Sequence, residues 1–138
     1  MNKFSTDLTL IKANAFCKKG KIEEARQLYS KVLKKFPQNR LAMDGLVNVH
    51  EALAFEYKKE LLSLYNEGHL DLVINKAQSL TNTLNYSVFI WNILGSSYLA
   101  KEKFKEAIEN FERVLNIKAN IPEVYNNIGI ALSKYDKP

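Results

Sequence analysis

The residues able to do nucleophilic, acid–base or metal chemistry are few and lie far apart along the chain. The histidines are His50 and His69, and the one cysteine is Cys17. Glu67, His69 and Asp71 come closest to a cluster, but alternate residues in a polar turn lack the spacing of a metal-ligand motif. We therefore expect no enzyme activity, no catalytic residue, no bound metal and no cofactor.

The composition is that of an ordinary globular chain with a bias toward helix. The 138 residues are 46% apolar and 25% charged, with only five Gly and three Pro to interrupt regular structure. One cysteine cannot form an internal disulfide, and no segment has the roughly 18 apolar residues of a membrane span. We expect a cytoplasmic protein with no membrane partner. A net charge of +5 does not decide between an acidic protein and nucleic acid as the partner.

A repeat of 34 residues sets the elements that would position any binding residues. Four apolar positions recur with this step: Leu70, Val73, Ala77 and Leu80 return as Phe104, Ala107, Phe111 and Val114. Tyr57 likewise returns as Trp91 and then as Tyr125, and Gly95 returns as Gly129. Apolar residues three or four apart within each unit predict two amphipathic helices joined by a turn. A helix–turn–helix period of this length is typical of a solenoid of stacked hairpins.

The order of large and small residues resembles that of the tetratricopeptide repeat. The positions that carry the resemblance are Trp91, Leu94, Gly95, Tyr98, Phe104, Ala107, Phe111 and Val114, and in an earlier half-repeat Gly20, Ile22, Ala25, Tyr29, Val32 and Pro37. The resemblance covers nearly the whole chain. It implies an all-α fold, a right-handed superhelical solenoid of antiparallel helix hairpins, and a scaffold that binds a peptide or protein. Gly95 and Ala107 would let the two helices of a hairpin approach closely.

The resemblance divides a single domain over residues 1–138 into three repeats. We expect these at 6–39, 54–87 and 88–121, with an inserted helical segment at 40–53 and a terminal helix at 122–134. In the second repeat Val73 stands where Ala is usual and Ala77 where an aromatic residue is usual, an exchange that can conserve volume. Leu61 also replaces the usual Gly of the first helix.

The insert between the first two repeats predicts one long helix. Its 14 residues amount to about four helical turns, and residues 40–66 contain no Pro and one Gly. An apolar stripe runs through them without a change of phase: Ala42, Leu46, Val49, Leu53, Tyr57, Leu61 and Leu64. We expect a helix over about 39–66 with Asn39 as its N-cap. The alternative is a break near His50 that would give two shorter antiparallel helices.

In the family that the chain resembles, the first helix of each hairpin lines the concave face and contacts extended peptides. The matching positions here imply this peptide-binding set: Asn14, Lys58, Leu62, Tyr65, Asn92, Ser96, Asn126, Asn127 and Ile130. The run at 125–129 also resembles repeats of O-linked N-acetylglucosamine transferases and similar bacterial proteins, in which an inner-face Asn holds the peptide backbone. An amide suits this role because it both donates and accepts hydrogen bonds. The alternative is a solvated Asn on an ordinary helix, since Ile93 stands at the matching position of the third repeat.

Two other functions remain as alternatives to peptide binding. Lysine-rich turns at 18–21 and 101–105 could form a basic edge for nucleic acid, but acidic residues occupy that edge in the middle repeat, so nucleic acid is the weaker partner. The last helix carries apolar residues with no second helix to cover them, which favours a homodimer through this uncapped C-terminal helix: Val124, Ile128, Ala131 and Leu132. Because residues 136–138 follow that helix directly, we expect the N-terminal fragment of a larger multidomain protein.

Overall fold

The computed structural model describes residues 2–135, which form seven α-helices and, within that range, no β-strand. The helices are α1 (Lys3–Lys18), α2 (Ile22–Lys35), α3 (Arg40–Asn66), α4 (Leu70–Leu80), α5 (Val88–Ala100), α6 (Phe104–Ile117) and α7 (Pro122–Tyr135). The all-α fold built from helix hairpins is therefore confirmed. The chain end at 136–138, on which the expectation of a longer protein rests, lies outside the described residues.

The chain divides into two compact units, which we call unit 1 (Met1–Ala52) and unit 2 (Leu53–Pro138). Unit 1 holds α1, α2 and the first part of α3, and unit 2 holds the rest of α3 with α4 to α7. The single repeat domain over residues 1–138 stays an expectation, and each unit is described separately below.

Unit 1 is a hairpin of α1 and α2 completed by the first turns of α3. Asn2 caps α1, since its side-chain oxygen accepts a hydrogen bond from the Ser5 N–H at 2.8 Å. Gly20 ends the hairpin turn with a φ of +77°, a conformation that glycine adopts without steric cost. The buried side chains come from all three helices: Thr6, Leu10, Ala13, Ala25, Tyr29, Val32, Ala42, Leu46, Val49 and His50.

Helix α3 is unbroken over its 27 residues, which confirms the long helix and excludes the break near His50. Asn39 is its N-cap, because the Asn39 side-chain oxygen accepts a hydrogen bond from the Ala42 N–H at 3.0 Å. His50 is buried rather than placed in a turn, so it contributes to the apolar interior of unit 1.

Unit 2 consists of the hairpins α3–α4 and α5–α6 followed by α7. Gly68 makes the first hairpin turn with a φ of +83°, and the Ser87 hydroxyl caps α5 by accepting a hydrogen bond from the Ile90 N–H at 3.2 Å. On the outer side of the first hairpin, Lys76 donates hydrogen bonds to both carboxylate oxygens of Glu60 at 2.9 and 3.1 Å.

The two hairpins of unit 2 fill the space between their helices in opposite ways. In the second hairpin Gly95 lies against Phe111, and a Cβ at residue 95 would come within 2.6 Å of the Phe111 ring. In the first hairpin the corresponding residues are Leu61 and Ala77, both fully buried in one apolar cluster. Leu61 therefore supplies on the first helix the volume that Ala77 lacks on the second.

Helix α7 covers α6 with its inner side. Val124 is buried and Ile128 half-buried against a cluster formed by Ala107, Phe111 and Val114. Ala131 is also buried, so of the four apolar residues noted on this helix only Leu132 is exposed. The homodimer through this helix stays a prediction.

Candidate peptide-binding surfaces

A groove with a volume of about 600 Å³ opens on unit 1, and we call it the first groove. Three helices line it, with these residues: Asp7, Leu10, Ile11 and Asn14 of α1, Tyr29 of α2, and Leu41, Asp44, Gly45 and Asn48 of α3. On each of α1 and α3 the lining residues follow the first of them by three, four and seven positions. One face of each helix therefore forms a wall of the groove.

Tyr29 reaches the groove because α3 has a glycine beside it. A Cβ at residue 45 would lie 2.4 Å from the Tyr29 ring, so only Gly45 leaves room for the aromatic side chain. Tyr29 itself is buried, and its pKa is raised above 10.0 by burial and by the neighbouring Cys17 thiol. The phenol therefore stays neutral and forms part of the floor of the groove.

The chemistry of the first groove is mixed. Ile11 and Leu41 are large apolar side chains, 66% and 67% exposed, which can take apolar side chains of a ligand. Asn14 and Asn48 are exposed amides on the two walls, and each can donate to a carbonyl and accept from an N–H. These are the two requirements for holding an extended peptide by its backbone and alternate side chains.

The structure places the predicted binding residue Asn14 in this groove, whereas the wall that α3 provides is not part of the predicted set. Residues 40–53 were interpreted as an insert, although Asn48 follows Asn14 by 34 residues and Leu41 follows Asp7 by the same step. The first part of α3 thus continues the repeat period of α1. That spacing is the signal that could have placed Asn48 opposite Asn14.

A second candidate surface lies on unit 2, where the second part of α3 meets α5. The Lys58 ammonium group lies 5.5 Å from the centre of the Phe89 ring, a cation–π contact that joins the two helices. Phe55, one turn earlier on α3, is 74% exposed, and Leu62 is also exposed. Tyr65 is half-buried and packs against the core cluster of unit 2, so its role in packing competes with any role in binding. We call the exposed sides of these two helices the second surface.

Asn92 and Ser96 are half-buried on α5. The side-chain oxygen of Asn92 is inaccessible and accepts no hydrogen bond from any group in residues 2–135. Buried polar atoms normally have a hydrogen-bond partner, so this oxygen is an exception within α5.

On α7, Asn126 and Ile130 are exposed and Asn127 is half-buried. No hydrogen bond joins these three side chains to Lys58 or Asn92 in the described part of the chain. The predicted set is therefore distributed, with Asn14 in unit 1 and the other eight residues in unit 2.

The basic turns are partly engaged with neighbouring side chains. Lys101 forms an ion pair with Asp71, and this hydrogen-bonded cation lowers the pKa of the Asp71 carboxyl below 3.8. Lys21 and Lys12 lie 5.9 and 5.8 Å from the centre of the Phe16 ring. Among residues 2–135 no three His, Cys, Asp or Glu side chains are grouped to hold a metal ion, and no helix there has the length and apolar character needed to cross a membrane.

Two family models match the chain. Residues 9–39 match a model described as tetratricopeptide repeat, and residues 95–134 match one described as TPR repeat. The chain belongs to the tetratricopeptide-repeat family. The first match covers most of the α1–α2 hairpin, and the second covers part of α5 with α6 and most of α7.

Solved tetratricopeptide-repeat structures share the fold at low sequence identity. MamA is 19% identical, with 94% of this chain and 82% of that chain covered and a TM-score of 0.53. MamA of AMB-1 is 20% identical with a TM-score of 0.52, and this chain covers 63% of its length. The Sgt2 TPR domain from Aspergillus fumigatus is 16% identical, with 96% and 80% covered and a TM-score of 0.50. No curated protein matches the sequence. Membership in this family makes the chain a protein-interaction module.

Proposed function

We propose that this tetratricopeptide-repeat chain is a scaffold that binds an extended segment of a partner protein in the first groove. One observation carries the proposal: two amides 34 residues apart, Asn14 and Asn48, line the same groove above the Tyr29 ring. A ligand backbone lying along the groove could exchange hydrogen bonds with both amides. Its side chains would then contact the exposed Ile11 and Leu41.

The second surface is a second candidate site for the same function. It is favoured by the exposed Phe55, which lies one turn from Lys58 and its cation–π contact with Phe89. The predicted residues Leu62, Tyr65 and Ser96 lie on these two helices and belong to this proposal. Peptide binding by Asn126, Asn127 and Ile130 of α7 stays a prediction. Resemblance of the α7 run to O-linked N-acetylglucosamine transferase repeats stays a hypothesis, as does a place in a larger multidomain protein.

The experiment is selection of peptides from a phage-displayed library on the purified chain, followed by fluorescence anisotropy of the selected peptides. The double variant Asn14→Ala, Asn48→Ala removes both amides of the first groove without adding volume. A lost hydrogen bond costs about 1 kcal/mol, so we expect the two changes together to weaken binding roughly tenfold or more. Asn75→Ala, an exposed amide on α4 outside both surfaces, is the matched control and should leave the dissociation constant unchanged.

Each outcome locates the function. Binding lost only in the double variant supports the first groove. Binding retained there but lost on Lys58→Gln, Asn92→Ala moves the site to the second surface. If no selected peptide depends on Asn14 with Asn48 or on Lys58 with Asn92, the proposal of peptide binding is contradicted. The homodimer and nucleic acid are then the functions to test.

A further inference from the structure

The first groove has an electrostatic character opposite to that of the chain as a whole. The chain has a net charge of +5, yet the two charged side chains that line the groove are both carboxylates, Asp7 on α1 and Asp44 on α3. They stand on the two walls, so each wall carries one carboxylate and one exposed apolar side chain, Ile11 on α1 and Leu41 on α3.

Little within the protein neutralises these carboxylates. Asp7 forms no ion pair with any residue of the described range 2–135. Asp44 has one neighbour, Arg40, whose Nε lies 3.9 Å from Oδ1, and these side chains are 79% and 63% exposed. A pair so long and so exposed contributes little, and a ligand cation can share the carboxylate or replace the arginine.

The uncharged residues of the groove indicate what the rest of the ligand would be. Amides on both walls suit a peptide backbone, and the apolar side chains suit alternate residues of an extended segment. A bound segment with acidic side chains would place like charges beside Asp7 and Asp44. Lys or Arg would instead find a carboxylate on each wall, with only the exposed Arg40 to compete for Asp44.

We infer that the first groove selects extended peptide segments in which an apolar residue is flanked by Lys or Arg, with Asp7 and Asp44 receiving the cations. This inference rests on the proposed function of the groove. It adds the class of ligand and the two residues that determine it.

The test uses three fluorescein-labelled peptides of equal length that alternate Ile with Lys, with Gln or with Glu. We expect the wild-type chain to bind the Lys peptide most tightly and the Glu peptide most weakly. The double variant Asp7→Asn, Asp44→Asn keeps the side-chain size. It should lower the affinity for the Lys peptide by about five- to twentyfold and change the affinity for the Gln peptide little. Raising the salt concentration should weaken the binding of the Lys peptide but not that of the Gln or Glu peptide, because salt screens the attraction between exposed opposite charges.

The control is Glu23→Gln, Glu24→Gln, which changes the net charge equally but on the exposed side of α2. If this control abolishes the preference for Lys and the Asp7, Asp44 variant does not, the cation binds elsewhere and the inference is wrong. Equal binding of all three peptides, abolished by Asn14→Ala, Asn48→Ala, would overturn the inference and leave the proposed function standing. Failure of all three peptides to bind would overturn both for this groove.

A second copy of the chain is the other source of Lys side chains, and sedimentation of the protein alone distinguishes it. We expect the same sedimentation coefficient for wild type and for Asp7→Asn, Asp44→Asn. An oligomer that dissociates only in this variant would assign the groove to a second copy and contradict the peptide as its occupant.

Discussion

We predict that the chain loses stability between pH 7 and pH 4 through the protonation of one buried histidine. His50 lies in unit 1 with 4% of its surface exposed. Burial, assisted by the charge of Arg26, lowers its pKa from 6.5 to about 4. The folded pKa is depressed, so the unfolded chain binds this proton more tightly than the folded chain does. The contribution of neutral His50 is therefore fully present above pH 6.5 and is lost as the pH falls through the interval between the two pKa values.

The two pKa values determine the size of the effect. With 6.5 in the unfolded chain and about 4 in the fold, the free energy of unfolding falls by about 2 kcal/mol from pH 7 to pH 5, and by about 3 kcal/mol to pH 4. This is a large share of the 5–15 kcal/mol, roughly, that stabilises an ordinary domain.

Urea unfolding followed by circular dichroism at several pH values provides the measurement, with wild type compared with His50→Gln. Glutamine keeps a polar side chain of similar size and does not titrate, so the difference between the two proteins should change by about 3 kcal/mol between pH 7 and pH 4. A general loss of stability in the variant does not affect this change with pH. His69→Gln, which replaces an exposed histidine, is the matched control. A difference between wild type and His50→Gln that stays constant over this range would refute the reasoning.

Two further predictions concern packing and capping, and thermal unfolding measures both. Gly95→Ala should destabilise the fold by about 1–3 kcal/mol, because the new methyl would meet the Phe111 ring at 2.6 Å. Gly129→Ala, where nothing lies within 4 Å, should instead stabilise α7 by about 0.5–1 kcal/mol, and equal effects at the two glycines would contradict this account. Asn39→Ala should cost about 1 kcal/mol by removing the N-cap of α3, whereas Gln38→Ala should cost almost nothing. A cost at residue 38 equal to that at residue 39 would show that the cap is unimportant.

The hairpins and the long helix could be predicted because they depend on spacing within a short stretch of chain. The spacing of apolar residues around Trp91 and Gly95 predicts their helix. The continuous apolar stripe and the absence of Pro from residues 40–66 predict an unbroken α3. The same local reasoning placed Asn39 at the helix start, where its side chain does cap.

The candidate site was harder to predict from the sequence, because a groove is formed by two helices that face each other. The apolar period shows which side of α3 is buried, but not that Asp44 and Asn48 stand opposite α1. Ion pairs between residues far apart in the sequence, such as Lys101 with Asp71, are hard to predict for the same reason. The inaccessible oxygen of Asn92 likewise depends on packing around α5 that no local pattern records.

The opposite filling of the two hairpins in unit 2 bears on how such chains can be recombined. A chimera that moved α6 alone into the place of α4 would set Phe111 against Leu61 and overfill the interior. The reciprocal exchange would set Ala77 against Gly95 and leave a void. Duplicating or transplanting a complete hairpin keeps each large residue with its small partner. The hairpin, and not the single helix, is therefore the module that gene duplication or protein engineering can shuffle in this chain.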